Sequence, residues 1–294
     1  MIRKSQNDEE EELLLLASLE NERRTSRRQN RKNIQRIVDD FDNWADAELT
    51  EYNSSESNKT LQDRAKQYTM LLAPYVVTQY NRQSIGSIND RIMVNDKISN
   101  VLNDYNGFFE SLLLASAMTI NNTSVDSDLY NKAREDGAST VEALHISDSS
   151  NVTDYNVLSE KQLERSLMNR EAQIEATANH DFYTSLVDSN GEQLAVQKMW
   201  IWSTLENTRH SLMDGEVVGI DEYFDVYNEQ ADYSEQGLYP RDPSMSDGNI
   251  MNCMCSCDYL DEFGNVIDPS VTMRNYQPTN ISTNDLLDDI DLSL

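Results

Sequence analysis

Apolar residues recur at helical spacing through the first 120 residues, and this pattern predicts three amphipathic helices. The first is expected to begin at Asp8 or at Arg31 and to end near Leu49, the second begins near Thr60, and the third begins near Asn89. We therefore expect a helical arm over 1–57 and a helical region over 58–120. The positions expected to be buried include Ile34, Ile37, Val38, Phe41, Leu61, Ala65, Tyr68, Leu72, Val76, Ile98, Leu102, Tyr105 and Phe109.

Local signals suggest where these helices begin and end. The polar stretch from Tyr52 to Asn58 should break the first helix, and Thr60-x-x-Asp63 resembles a capping box that would begin the second. Pro74 should kink or end the second helix, because proline removes a backbone hydrogen bond. From 121 to 157 the chain is rich in Asn, Ser, Asp and Thr, which predicts a polar loop or linker with room for a short helix over 128–137.

A different pattern begins after this linker. Ser159-x-x-Gln162 should cap a further helix, and strands are predicted over 197–205, over 216–220 and near 252–259, with an irregular loop up to Pro243. Both faces of the first strand are apolar around Trp200, which favours a central, buried strand. The resulting fold class is α+β: a mostly helical N-terminal half, a small sheet-containing module over 158–262, and an acidic tail over 263–294.

Composition narrows the classes of function. The chain has 294 residues and a formal net charge of -28, with 38% hydrophobic and 26% charged residues. This charge disfavours general nucleic-acid wrapping and anionic membrane surfaces through like-charge repulsion. The short apolar run after Glu12 is preceded by acidic residues, unlike a secretory signal, and is too short to span a bilayer. We expect an intracellular protein.

One segment of this acidic chain is basic. Its arginines could contact phosphate or an acidic partner surface, or they could form a solvated helix face paired with nearby acidic residues. No aromatic residues alternate with them, so base stacking is not indicated. The segment contains Arg23, Arg24, Arg27, Arg28, Arg31 and Arg36.

The three cysteines, Cys253, Cys255 and Cys257, lie within one short segment, which excludes a long-range disulfide framework. With His210 as a further ligand they could hold zinc. On a strand, however, alternate residues point the same way, whereas structural zinc sites favour cysteines on turns. We therefore expect small buried core residues, no cofactor and no stoichiometric zinc, with the zinc site as the alternative.

The order of several motifs between 158 and 260 resembles the phage Mu protein F-like minor head protein domain. The residues that carry this resemblance are Trp200, Arg209, His210, Gly215, Pro240, Pro243, Cys253 and Cys255, the last two in an Asn-Cys-x-Cys segment. Met254 stands where that family usually has a basic residue between the cysteines. The resemblance implies that these residues carry the shape of the module.

The resemblance also implies a function. It indicates a structural minor capsid protein of a phage virion, located with the portal protein at one vertex after assembly in the host cytoplasm. There it would assist head morphogenesis and DNA packaging or ejection. Its partners would be the portal and other capsid proteins, with packaged DNA as a further option through the basic segment. The sequence lacks a phosphate-binding glycine loop, a G-x-S-x-G elbow and an H-E-x-x-H helix, so no catalysis is expected. The alternatives are a zinc-dependent or toxin-type enzyme built on this module, or an adaptor that binds a host protein.

Overall fold

The computed structural model describes residues 6–50, 58–80, 88–122, 125–138, 140–147, 158–187, 191–203 and 208–267. These residues form an α+β fold, with helices mostly in the N-terminal half and a small sheet region near the C-terminus, as the sequence predicts. The predicted acidic tail over 263–294 lies outside the described residues from 268 onward, as does most of the predicted polar stretch from Tyr52 to Asn58. Across the described part of the chain, no helix combines the length and the hydropathy needed to cross a membrane.

The described residues of the N-terminal half form three long helices and two short ones. Helix α2 already includes Thr60, so this residue lies inside the first turn and the predicted capping box is wrong. The helix also continues through Pro74 up to Tyr80, so this proline does not end it. The bounds are α1 Gln6–Thr50, α2 Asn58–Tyr80, α3 Ile88–Asn122, α4 Ser127–Glu135 and α5 Thr140–Ser147.

The short helix predicted over 128–137 is confirmed as α4, whereas α5, in the described part of the predicted polar loop over 121–157, was not predicted. Asp126 caps α4: its Oδ1 accepts hydrogen bonds from the backbone N–H groups of Asp128 and Leu129, each at 3.1 Å. Tyr130 on α4 is buried and donates to Asp46 at 2.6 Å. Polar contacts, rather than a broad apolar face, thus hold α4 in place.

The described residues divide into two compact units. The helical unit takes those between 26 and 77 and between 95 and 168. The sheet unit takes those up to 25, between 78 and 94, and between 169 and 267. Within the helical unit, Asp42 connects α1 to α4 and α5. Its carboxylate accepts hydrogen bonds from Arg134 at 2.8 Å and from the backbone N–H of Thr140 at 3.2 Å. Its apolar core contains most of the positions predicted from periodicity, including Ile37, Phe41, Leu72 and Phe109.

The sheet unit contains α6, two small sheets and a very short helix, α7. Its elements are α6 Glu160–Ser185 (from 169 onward), β1 Gln197–Ile201, β2 Val217–Gly219, β3 Phe224–Asn228, β4 Tyr233–Gly237, α7 Asp247–Ile250 and β5 Ser256–Leu260. Strand β1 is the centre of an antiparallel sheet in the order β2-β1-β5, and β3 pairs with β4 in a hairpin. Trp200 on β1 is fully buried, which confirms the prediction of a central apolar strand.

The hairpin replaces the irregular loop that the sequence predicts before Pro243. Phe224 and Val226 on β3 are completely buried, whereas Asp225 between them is exposed. Strand β4 is polar along most of its length, with Tyr233-Ser-Glu-Gln-Gly237. A polar strand of this kind carries little periodic signal, and only its pairing with the apolar β3 reveals it.

Candidate functional site

A buried cluster of His210, Cys253 and Cys255 lies in the core of the sheet unit. Their ligand atoms all lie within 4.8 Å of one another. His210 Nδ1 is 3.6 Å from Cys253 Sγ and 3.7 Å from Cys255 Sγ. The three residues are only 2%, 4% and 5% exposed, respectively. We call these three residues the His–Cys cluster.

Hydrogen bonds fix the orientation of His210. Its Nε2 lies 3.0 Å from Asn249 Oδ1, and Asn249 Nδ2 donates to Glu235 Oε1 at 2.6 Å. An ionised carboxylate only accepts, so the amide nitrogen of Asn249 must face Glu235 and its oxygen must face the histidine. The histidine therefore donates from Nε2, and in the neutral ring the lone pair is on Nδ1, which faces both sulfurs.

Three separate elements bring these side chains together. His210 lies in a 3₁₀ helix over Thr208–Met213, and its own dihedrals of φ -127° and ψ 25° depart from helical values. Asn249 lies on α7 and Glu235 on β4. Glu235 also accepts from the Ser246 backbone N–H at 3.0 Å and from its hydroxyl at 2.8 Å, so the hairpin holds the start of α7.

The cysteine segment differs from the predicted strand. Strand β5 begins at Ser256, so Cys253 and Cys255 precede it and only Cys257 is part of it. The preceding residue, Asn252, has φ +57°, in the left-handed region, and its N–H donates to Asn169 on α6 at 3.0 Å. The chain therefore turns before the cysteines, and the expected straight strand across all three is wrong.

The two cluster thiols have opposite environments. The side-chain bond from Cys253, together with bonds from His210 and the Ser203 backbone, lowers the pKa of the Cys255 thiol despite its burial. The same bond to Cys255, followed by burial, raises the pKa of the Cys253 thiol. Cys257 is not part of the His–Cys cluster, and burial raises the pKa of its thiol to about 12. The arrangement favours one thiolate next to one thiol.

Trp200 forms one wall of the cluster. Its ring packs edge-to-face on His210 with centroids 5.6 Å apart, and on Phe224 at 5.3 Å. Trp200, Phe224, Cys253 and Cys255 belong to one apolar core. Most of the environment of the His–Cys cluster is therefore hydrocarbon, with polar partners on the side of Asn249.

Two arginines support the loop that carries Cys253. Arg209 donates to the carbonyls of Gly248 at 2.9 Å and Met251 at 2.8 Å, which otherwise lack helical partners at the end of α7. Arg241, directly after Pro240, donates from Nε to the carbonyl of Cys253. Arg209 and Arg241 thus both hold the backbone around the end of α7 and Cys253.

The remaining motif residues lie at the edge of this region or away from it. Gly215 has φ +79° in the turn before β2, and its N–H donates to the carbonyl of Trp200 at 2.9 Å. Pro243 is exposed, and Cys257 pairs across the sheet with Trp200. The structure therefore joins Trp200 and His210 to two of the three cysteines and leaves Pro243 outside the cluster.

The basic segment lies on α1. Arg28, Arg31 and Arg36 are exposed, as is Arg24, whereas Arg27 is half-buried. The side chain of Arg23 lies outside the described residues. Asp40 is one of the acidic residues near this segment on α1. It forms an ion pair with Arg64 on α2 at 2.7 Å.

A cleft of about 240 Å³ opens beside the His–Cys cluster. It is lined by α6 residues, by the Tyr239–Arg241 segment and by the segment from Met254 to Cys257. Cys255 therefore borders both the buried cluster and the cleft. Tyr239, which lines the cleft, packs on His180 with ring centroids 4.7 Å apart and ring planes tilted by 35°.

Sequence reasoning missed Asn249 and Glu235, which hold His210 in its tautomer. Neither residue belongs to a motif, and 14 positions separate them. Asn249 is fully buried, but burial of a single asparagine cannot be read from a chain rich in this residue. The sequence around each of them is rich in turn-forming residues, but such a pattern does not predict that two distant residues meet in the fold.

Comparisons of the chain with protein-family models, with curated proteins and with solved structures found no match.

Proposed function

We propose that this chain is a structural minor head protein of a phage, associated with the portal at one capsid vertex. In this function it assists head morphogenesis and DNA packaging or ejection, and it performs no catalysis. The proposal rests on the resemblance to the Mu F-like domain and on one observation in the sheet unit. Motif residues distant in sequence meet around one buried cluster.

The contacts among these residues support a common structural role. Trp200 packs on His210, which contacts Cys253 and Cys255. Arg209 binds the carbonyls of the segment before Cys253. The side chains of Trp200 and of the His–Cys cluster are deeply buried, so they shape the unit rather than contact a partner. The partner surface therefore lies elsewhere on the chain.

Burial also favours the structural role over the enzyme alternative. A catalytic zinc or nucleophile has to be reached by its substrate, whereas His210 is 2% exposed and Cys253 4%. The host-adaptor alternative has no comparable observation, and it becomes one outcome of the test below.

We assign to the head the partner surface formed by the arginines of α1, which are exposed apart from the half-buried Arg27. The rest of a chain with net charge -28 opposes DNA binding at physiological salt, whereas a cationic helix face suits an acidic protein surface. Replacing Arg24, Arg27, Arg28 and Arg31 with Gln should therefore abolish co-purification with assembled heads. DNA binding in a mobility-shift assay should remain weak and unchanged.

The control changes four exposed lysines, Lys59, Lys66, Lys132 and Lys161, to Gln, which removes the same charge from other helices. This variant should still enter heads, which quantitative mass spectrometry of purified particles measures. If the wild-type chain stays outside normally assembled heads, the head function is wrong. If it binds a host protein instead, the adaptor function replaces it. Tight DNA binding that the arginine variant loses, with head incorporation unchanged, would contradict docking on an acidic surface.

A further inference from the structure

We propose that His210, Cys253 and Cys255 bind a zinc ion that ties the 3₁₀ helix to the segment between α7 and β5. This inference is independent of the head function, because it rests only on the geometry of the His–Cys cluster. The cluster offers one imidazole nitrogen and two sulfurs, a ligand set that zinc prefers.

The distances between the ligand atoms fit a tetrahedral ion. Zinc bonds of about 2.3 Å to sulfur and about 2.05 Å to nitrogen, at tetrahedral angles, place nitrogen and sulfur about 3.6 Å apart. The observed separations from His210 Nδ1 are 3.6 Å to Cys253 Sγ and 3.7 Å to Cys255 Sγ. Little movement of the three side chains is needed to hold the ion between them.

The residues behind the ligands fit as well. Histidine ligands in metal sites usually donate their other ring N–H to an oxygen acceptor, which fixes the tautomer and the ring orientation. Asn249 accepts from His210 Nε2 and is itself held by Glu235, so the chain Glu235–Asn249–His210 aims the free Nδ1 at the sulfurs.

Zinc was unfavourable on sequence grounds because structural zinc sites favour cysteines on turns, and the structure removes this objection. The expected absence of zinc rested on three cysteines along one strand, but the turn at Asn252 takes Cys253 and Cys255 out of β5. Cys257 lies on the strand and outside the cluster in the described part of the chain. The three residues of the His–Cys cluster supply three of the four tetrahedral positions of zinc.

The test measures metal in the isolated full-length chain. Protein purified without chelators from zinc-supplemented cells should carry about one zinc per chain by elemental analysis. Cys253→Ser and Cys255→Ser should lose it, whereas Cys257→Ser, the same change on the neighbouring strand, should retain it. A folded wild-type chain that carries no more zinc than Cys253→Ser would overturn the proposal.

Cobalt substitution keeps the test decisive if a cysteine variant fails to fold. Zinc-free wild-type chain titrated with Co²⁺ should show thiolate-to-metal charge transfer and the intense visible bands of tetrahedral cobalt at one equivalent. The absence of both, with circular dichroism showing a folded chain, would equally overturn the site.

Asn249→Ala tests the positioning role of Asn249 within the same experiment. It should weaken zinc affinity by about 10–100-fold and leave the thiolate bands in place, because both sulfurs remain. Unchanged affinity would remove Asn249 from the site. Metal content is read on the isolated chain and head incorporation on particles, so failure of either proposal is seen separately.

Discussion

Lys198 shows at the scale of a single residue how the sheet unit accepts a charge in its core. Its side chain is fully buried on the central strand, and Nζ donates to the carbonyl of Ile220 at 2.6 Å. Burial lowers the pKa of Lys198, because the charged form loses its hydration. Its Nζ also lies 5.7 Å from the centroid of the Phe224 ring.

This residue predicts a pH-dependent stability. Because the folded pKa is lowered, the unfolded chain binds more protons between that value and about 10.4. The contribution of Lys198 to the free energy of unfolding should thus rise with pH across this interval. Urea denaturation from pH 7 to pH 10 should show wild type gaining stability relative to Lys198→Met. The same change at exposed Lys161 should show no such trend, and a constant difference for Lys198→Met would contradict the argument.

At the scale of an element, the N-terminus of α6 has the capping box that its sequence predicts. Ser159 Oγ accepts from the Gln162 N–H at 3.3 Å, and Gln162 Oε1 accepts from the Ser159 N–H at 2.8 Å. These reciprocal bonds confirm the capping box predicted from Ser159-x-x-Gln162. They supply partners for two of the backbone N–H groups that a helix start leaves unpaired.

Loss of this cap should be measurable. Ser159→Ala should lower the free energy of unfolding by about 1 kcal/mol, because the Gln162 N–H loses its acceptor. Urea denaturation followed by circular dichroism measures the change. Ser166→Ala, in the interior of the same helix, should leave stability equal or slightly higher, since alanine is the stronger helix former. An equal loss in both variants would show that the cap contributes nothing specific.

At the scale of the whole molecule, the charge balance opposes folding. The chain carries 52 acidic against 24 basic residues. Compaction brings these like charges closer together, and their repulsion weakens as salt shortens the Debye length from about 10 Å at 0.1 M to about 3 Å at 1 M.

Salt should therefore stabilise the protein. We expect the Tm to rise as NaCl increases from about 0.01 M to 1 M. The four-lysine variant, with charge -28 - 4 = -32, should show the larger rise. Differential scanning calorimetry of both chains measures the effect. A Tm that is independent of salt, or equal increments in the two chains, would contradict a dominant role for net repulsion.

Local signals predicted the elements that carry strong periodicity. The apolar faces of α1, α2 and α3 and the central strand around Trp200 all depend on residues a few positions apart. The helix α5 and the hairpin strand β4 were missed, because the first has only eight residues and the second is polar along most of its length. A hydrogen bond to Asp42 holds the start of α5, and pairing with β3 holds β4.

The sequence by itself determined the α+β class, the buried faces of the long helices and the capping of α6, because neighbouring residues decide these features. Only the tertiary structure decided that His210 meets Cys253 across 43 positions, and that Cys257 stays apart. The turn at Asn252 and the Glu235–Asn249 pair set that geometry. It depends on how α6, the hairpin and β1 pack as one unit, and spacing along the chain carries no information about such distances.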